Sequence, residues 1–76
     1  MREKKKYLVI TFRTTTEVMK AETYFVDHGV PGRIIPLPRE ISSGCGMCWR
    51  ILEDDRHLLG SHLPEISYEN LYSIEQ

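Results

Sequence analysis

The sequence lacks several features that define large classes of proteins. It has no apolar run near the roughly 20 residues that span a bilayer, and its formal net charge of -1 gives nucleic acid no general attraction. With only two cysteines, and three histidines in no recognisable ligand spacing, it has no zinc motif. We therefore expect no membrane span, no nucleic-acid partner, no bound metal and no cofactor.

The length of the chain limits its organisation. We expect one small domain over residues 1–76, with a flexible basic start at residues 1–6. No internal repeat, low-complexity segment or linker is visible. The apolar stretch 7–12 is too short for the core of a signal peptide. We therefore expect a cytoplasmic protein, whose cysteines would stay reduced.

The first half of the chain predicts a strand followed by a helix. Residues 7–12 are rich in β-branched and aromatic types, which favours a buried strand. Thr14 and Glu17 have the spacing of a capping box. Apolar residues then recur at helical spacing until Gly29, so we expect the helix to end near His28. The other predicted elements are strands at 33–35, 47–52 and 66–74 and a helix at about 53–63.

The hydrophobic pattern also predicts which residues face the core. In the first helix, Val18, Ala21 and Phe25 form a stripe, with Met19 and Val26 widening it. In the strands, the period of two places Cys48 and Arg50 on the face opposite the core. The strand positions that we expect to point inward are Met47, Trp49, Ile51, Tyr72 and Ile74.

The order of the elements is β-α-β-β-α-β. It predicts an α+β ferredoxin-like fold, in which two helices cover one face of a four-stranded antiparallel sheet. The other sheet face is then open, and in so small a domain an open face favours a homodimer or a protein partner. The fold alone does not specify a function.

The most informative segment lies between the second and third strands. Pro36 and Pro38 hold the chain extended, and Cys45 then lies between Gly44 and Gly46. Glycine lets the backbone adopt positive φ and approach another group closely. Successive N–H groups in such a loop can bind an anion, and the thiolate is the nucleophilic form of cysteine. Cys45 is therefore a candidate reactive thiol, with a buried structural cysteine as the alternative.

A second thiol lies three residues further on, so that Cys45 and Cys48 form a C-x-x-C motif. In dithiol oxidoreductases the first cysteine usually begins a helix, whereas the residues after Cys45 predict a strand. A small redox or soft-metal-binding protein that uses both thiols stays as an alternative. Arg39, Ser42 and Ser43 are candidates for binding an anionic substrate, although serines in a loop also form turns.

The loop sequence resembles a known family. The run IPLPREISSGCG at 35–46 is similar to the signature of small bacterial selenium/sulfur carrier-like domains of unknown function. The similarity extends to the Ala-Glu pair at 21–22 and to the Gly-Val-Pro turn at 29–31. It covers most of the chain, from about Tyr7 to the last strand.

The resemblance implies that Cys45 is the carrier residue, which holds sulfur or selenium as a persulfide or selenosulfide. It also implies a donor enzyme and an acceptor protein as partners. We favour a non-enzymatic carrier or binding domain over an enzyme. Cys48 replaces a small apolar residue of the family pattern, and it is either a resolving thiol or a passive substitution. The alternative to a carrier is a binding or regulatory module that uses the open sheet face. The candidate substrate-binding residues around Cys45 are Arg39, Ser42, Ser43, Gly44 and Gly46.

Overall fold

A computed structural model of the protein describes residues 4–42 and 44–76. Its elements, in chain order, are β1 (Lys6–Thr11), α1 (Thr15–Asp27), β2 (Arg33–Pro36), β3 (Met47–Leu52), α2 (Arg56–Leu59) and β4 (Asn70–Glu75). The four strands form one sheet in the order β2-β3-β1-β4, and every neighbouring pair is antiparallel. The predicted α+β ferredoxin-like fold is confirmed.

β1 is a central strand that is buried on both faces. Leu8 and Ile10 belong to the core beneath the helices, whereas Val9 and Thr11 lie on the opposite face, which we call the second face. All four side chains are buried. A strand covered on both sides favours a continuous apolar run over alternation, which explains the composition of this segment.

The basic start of the chain joins the sheet in part. Lys6 pairs with Glu75, and the backbone of Lys5 exchanges two hydrogen bonds with Gln76, at 2.7 and 2.9 Å. The ordered sheet therefore begins within the segment that we predicted to be flexible. Residues 1–3 lie outside the described residues.

α1 begins where the capping pattern predicts. The Thr14 hydroxyl accepts a hydrogen bond from the Glu17 N–H at 3.1 Å. The Glu17 carboxylate accepts one from the Arg13 N–H at 2.9 Å. Two backbone donors at the start of the helix are thus satisfied by side chains, which fixes the start of α1 relative to the end of β1.

The buried stripe of α1 is narrower than predicted. Val18, Ala21 and Phe25 are buried against the sheet. Met19 and Val26 are 58% and 68% exposed, so the prediction that they widen the stripe is wrong. An α-helix turns by about 100° per residue, which places both side chains more than a quarter turn from the centre of the stripe.

The second helical region is irregular. Only α2 is α-helical, and 3-10 turns at Glu53–Asp55 and Gly60–Glu65 flank it. Pro64 has no backbone N–H to continue a regular helix. Leu59 is the buried contact of this region. Within the described residues, no helix is long and apolar enough to cross a membrane.

β4 is shorter than predicted and presents its other side to the core. It begins only at Asn70, and its register pairs Leu71 with Ile10. Leu71 therefore packs beneath the helices, whereas Tyr72 and Ile74 lie on the second face. The prediction that Tyr72 and Ile74 point inward is wrong, because the alternation in this strand begins one residue earlier than assumed.

Candidate functional site

The cysteine loop, residues 37–46, connects the paired strands β2 and β3. β2 and β3 end their pairing at Pro36 and Met47, and the next bond of the ladder runs from the Leu37 N–H to the Gly46 carbonyl at 3.0 Å. Within the loop, the Ile41 N–H donates to the Pro38 carbonyl at 3.0 Å. The ends of the loop are therefore held together by the sheet itself, which limits how far Cys45 can move.

The loop folds back over the second face of the sheet. Ile41 is 8% exposed and packs with Val9 and Cys48, both completely buried. Ile35, Leu37 and Ile74 pack around this small apolar cluster. We predicted that the second face is open, and this is wrong in part, because the loop covers the area of the face that lies over β1 and β3.

Two glycines define the path of the chain around Cys45. A Cβ atom on Gly44 would lie 2.6 Å from the Arg13 carbonyl oxygen, so only glycine fits where the loop passes the connection between β1 and α1. Gly46 has φ +73, in the left-handed region that disfavours side chains. The structure thus favours glycine on both sides of Cys45. Gly44 allows the close approach to the Arg13 carbonyl, and Gly46 adopts the left-handed backbone conformation.

Cys45 itself is a free, half-buried thiol. Its side chain packs at the margin of the core beneath the helices. The Sγ atom lies 3.4 Å from the Met47 carbonyl oxygen. A carbonyl only accepts hydrogen bonds, so this contact forms when the thiol is protonated and donates. When the proton leaves, the sulfur loses that partner and its free electron pairs become available to another group.

Cys48 is also a free thiol, but it is completely buried beneath the loop. Its Sγ atom lies 3.7 Å from the Ile35 carbonyl oxygen. Burial raises the pKa of Cys48 from 9.0 to about 11; the charge of Cys45 contributes to the rise, and the Arg50 guanidinium opposes it. At neutral pH this side chain is therefore an inert thiol with no path to solvent.

The structure describes three of the four remaining predicted site residues. Arg39, Ser42 and Gly44 are exposed, and Ser43 lies outside the described residues. Within the described part of the chain, Arg39 makes no hydrogen bond or ion pair with Cys45, and no backbone N–H donates to the Cys45 sulfur. In this conformation Arg39 is an exposed cation and the Cys45 thiol donates to a carbonyl, so the described residues do not form an anion site around the sulfur.

The described residues provide no metal centre beside the cysteines. Over residues 4–42 and 44–76, no group of three or more histidine, cysteine, aspartate or glutamate side chains is arranged to hold a metal ion. C-x-x-C sites that bind soft metals need both sulfurs to face one point. Here Cys45 and Cys48 lie in different apolar clusters, one under the helices and one on the second face.

Several residues that shape the site were not predicted from the sequence. Ile41 anchors the loop to the second face, and the Arg13 carbonyl sets the close approach at Gly44. Ile41 is an apolar residue flanked by the polar residues Glu40 and Ser42. An isolated apolar side chain in a polar loop indicates that the loop packs against the protein at that residue. The Arg13 contact has no signal in the sequence, because it joins segments that are far apart along the chain.

Comparison with known proteins supplies the family. The sequence model of a family described as "Putative Se/S carrier protein-like" matches residues 7–73, which include the whole loop and most of the sheet. The chain belongs to this carrier-like family. No curated protein and no solved structure matches it. The family match agrees with the resemblance of the loop, and it concerns carriers of selenium or sulfur as a class.

Proposed function

We propose that this member of the carrier-like family holds sulfur or selenium on Cys45. The observation that carries the proposal is the contrast between the two thiols. Cys45 is half-buried on a closed loop whose neighbours are exposed, whereas Cys48 is buried with a raised pKa. One sulfur can meet a donor at the surface, and the other cannot.

The loading step is an exchange between sulfur atoms. The Cys45 thiolate attacks the terminal sulfur of a donor persulfide, R–S–SH, and a new bond forms between the two sulfurs. The bond between the donor's two sulfurs breaks, and its electron pair leaves with the donor as the thiolate R–S⁻. Cys45 becomes a persulfide, and no net oxidation occurs. A donor selenopersulfide, R–S–SeH, loads selenium by the same step.

Arg39 and the loop N–H groups would act on the loaded form. The terminal atom of a persulfide or selenosulfide is an anion near neutral pH, and it lies one bond beyond the original sulfur. Arg39 is exposed and free to turn, so its guanidinium could pair with this anion. In the same proposal Ser42, Ser43, Gly44 and Gly46 contribute hydroxyl and N–H donors.

The partners follow from the chemistry. A carrier needs a donor enzyme that forms the persulfide and an acceptor protein that takes the terminal atom. Both must reach a half-buried sulfur, so they would contact the exposed loop around Arg39 and Gly44. We propose a cytoplasmic location, because thiols there are kept reduced and ready for loading.

The test is an intact-mass measurement on three forms of the protein. Wild type, Cys45→Ser and Cys48→Ala are incubated with a small-molecule persulfide and, separately, with a selenopersulfide. We expect wild type and Cys48→Ala to gain the mass of one sulfur or selenium atom, which a thiol reductant removes. Cys45→Ser should gain nothing. Loading of Cys45→Ser to the wild-type extent would overturn the assignment of the carrier residue.

The same intact-mass measurement distinguishes the carrier from a dithiol protein that uses both cysteines. If Cys48 resolves the persulfide, it attacks Cys45, hydrogen sulfide leaves, and a disulfide remains. The product then has the mass of the starting protein less two hydrogen atoms, and it requires both cysteines. The burial of Cys48 and the strand geometry around it support the carrier over this alternative.

A binding module is the second candidate, and one observation favours it. The part of the second face that the loop leaves uncovered carries Leu52 and Tyr72, two large side chains that are each more than a third exposed. A homodimer or a protein partner would cover them. In that case association, measured by analytical ultracentrifugation or by partner capture, survives Cys45→Ser and is lost in Tyr72→Ser.

A further inference from the structure

Three aromatic side chains meet at the end of α1, away from the second face. Tyr24 and His28 are stacked with ring centroids 3.9 Å apart, and the Tyr24 hydroxyl lies 2.9 Å from Nδ1 of His62. The centroids of the two imidazoles are 5.4 Å apart. His62 belongs to the 3-10 turn after α2, so the fold brings together two histidines that are distant in the sequence.

The hydrogen bonds of Nδ1 determine which ring nitrogen of each histidine keeps a free electron pair for a metal ion. Nδ1 of His28 lies 2.8 Å from the Tyr24 carbonyl oxygen. A carbonyl only accepts, so Nδ1 carries the proton and Nε2 of the neutral ring has a free electron pair. For His62, the Tyr24 hydroxyl can accept from Nδ1–H, which leaves Nε2 free in the same way. Histidines that bind metals usually donate their other N–H to such a partner.

The spacing of the rings fits a shared ion. A Zn–N bond of about 2.0–2.1 Å places the centroid of a coordinating imidazole about 3.2 Å from the ion, and a tetrahedral angle then separates two centroids by about 5.2 Å. The separation of His28 and His62 is 5.4 Å, with the ring planes 57° apart. Contacting aromatic rings often have centroids about 4.5–7 Å apart, so the value shows only that the two imidazoles are close enough for one ion to reach both.

We infer that His28 and His62 form a binding site for a divalent transition-metal ion such as Zn²⁺, which both rings coordinate through Nε2. Tyr24 is the positioning residue, since its carbonyl and hydroxyl hold the two Nδ1 atoms. No third histidine, cysteine or carboxylate joins the site within the described residues, so water completes the coordination. The exposed position of His28 gives the ion access. The site is independent of the carrier function proposed for Cys45.

The experiment is a Zn²⁺ titration of the untagged full chain by calorimetry, in a Cys45→Ser background that removes the accessible thiol. We expect one site per chain, and at least a tenfold loss of affinity in His28→Ala and in His62→Ala. His57→Ala is the matched control, because His57 is an exposed histidine on α2 outside the cluster. Its affinity should equal that of the background.

Two further measurements keep the result from depending on one variant. In NMR spectra, Zn²⁺ should shift the ring signals of His28 and His62 and leave those of His57 in place. Tyr24→Phe keeps the ring but removes the hydroxyl, and it should lower the affinity about tenfold, the lower end of the range for such outer partners. Equal affinity in the background and in His28→Ala, or ring shifts confined to His57, would overturn the inference.

Discussion

Chemical modification of the two cysteines should proceed at very different rates in the folded protein. A rise in the pKa of Cys48 from 9.0 to about 11 lowers the fraction of thiolate at neutral pH about a hundredfold. The side chain is also completely buried beneath Ile41, so a reagent must wait for the loop to open. We therefore expect Cys48 to react at least a hundred times more slowly in the folded chain than in the unfolded one.

The assay is a time course with iodoacetamide, followed by intact mass and peptide mapping. In native buffer a single adduct should form on Cys45, and a second should form on Cys48 only after denaturant is added. Cys45→Ser is the control, since it should remain unmodified in native buffer. Modification of Cys48 at a rate within a few-fold of Cys45 in native buffer would refute the account, because it would mean that the loop does not cover this thiol.

Three substitutions and one pH series test the physical basis of the fold and the loop. Gly44→Ala should destabilise the protein by about 1–3 kcal/mol in chemical denaturation, since the new Cβ would lie 2.6 Å from a carbonyl oxygen and the backbone must shift; Gly60→Ala, where a Cβ has no atom within 4 Å, should stabilise it by about 0.4–1 kcal/mol. Arg33 lies directly opposite Arg50 on the second face, so Arg33→Glu should stabilise the protein by about 0.2–1 kcal/mol, and added salt should reduce the gain. The folded pKa of Cys48 lies above its ordinary value, so its contribution to stability is complete below pH 9 and is lost as the pH rises toward 11. The free energy of unfolding of wild type relative to Cys48→Ala should therefore fall by about 1.4 kcal/mol at pH 10, and a difference that does not change with pH would contradict the burial of this thiol.

The elements that were predicted well are those with strong local signals. β3 has the predicted bounds, Met47–Leu52, because Met47, Trp49 and Ile51 recur at the two-residue period of a strand. α1 begins at Thr15 because Thr14 and Glu17 form their cap within the same turn. In both cases the residues that decide the structure are neighbours in the chain, so the sequence is sufficient.

The errors occur where distant segments decide the outcome. The inward face of β4 depends on its register with β1, which places Leu71 rather than Tyr72 beneath the helices. The second helix is irregular because Gly60 and Pro64 both disfavour a regular α-helix. The sequence shows these two residues, but it does not show where the α-helix changes to a 3-10 helix. Coverage of Cys48 by Ile41 depends on the loop returning across the sheet, and no local pattern encodes that return.

The candidate site was predicted in its location but not in its arrangement. The glycines around Cys45 indicated a special backbone, and the structure has a left-handed residue at Gly46 and a close approach at Gly44. The sequence predicted an anion site of N–H groups, whereas the Cys45 thiol donates to the Met47 carbonyl. Composition could not reveal this difference, because it depends on which way one side chain turns.

The most direct measurement of the central claim is the position of the transferred atom on the wild-type protein. Trypsin cleaves after Arg39 and Arg50, so one peptide, residues 40–50, contains both cysteines. The protein is loaded with a persulfide, alkylated and digested. Fragment ions from cleavage between Gly46 and Met47 then contain either Cys45 or Cys48, so they show which cysteine carries the extra sulfur. The account predicts that the extra sulfur is found on Cys45 alone. Its presence on Cys48, or an unmodified peptide after saturating donor, would contradict the account.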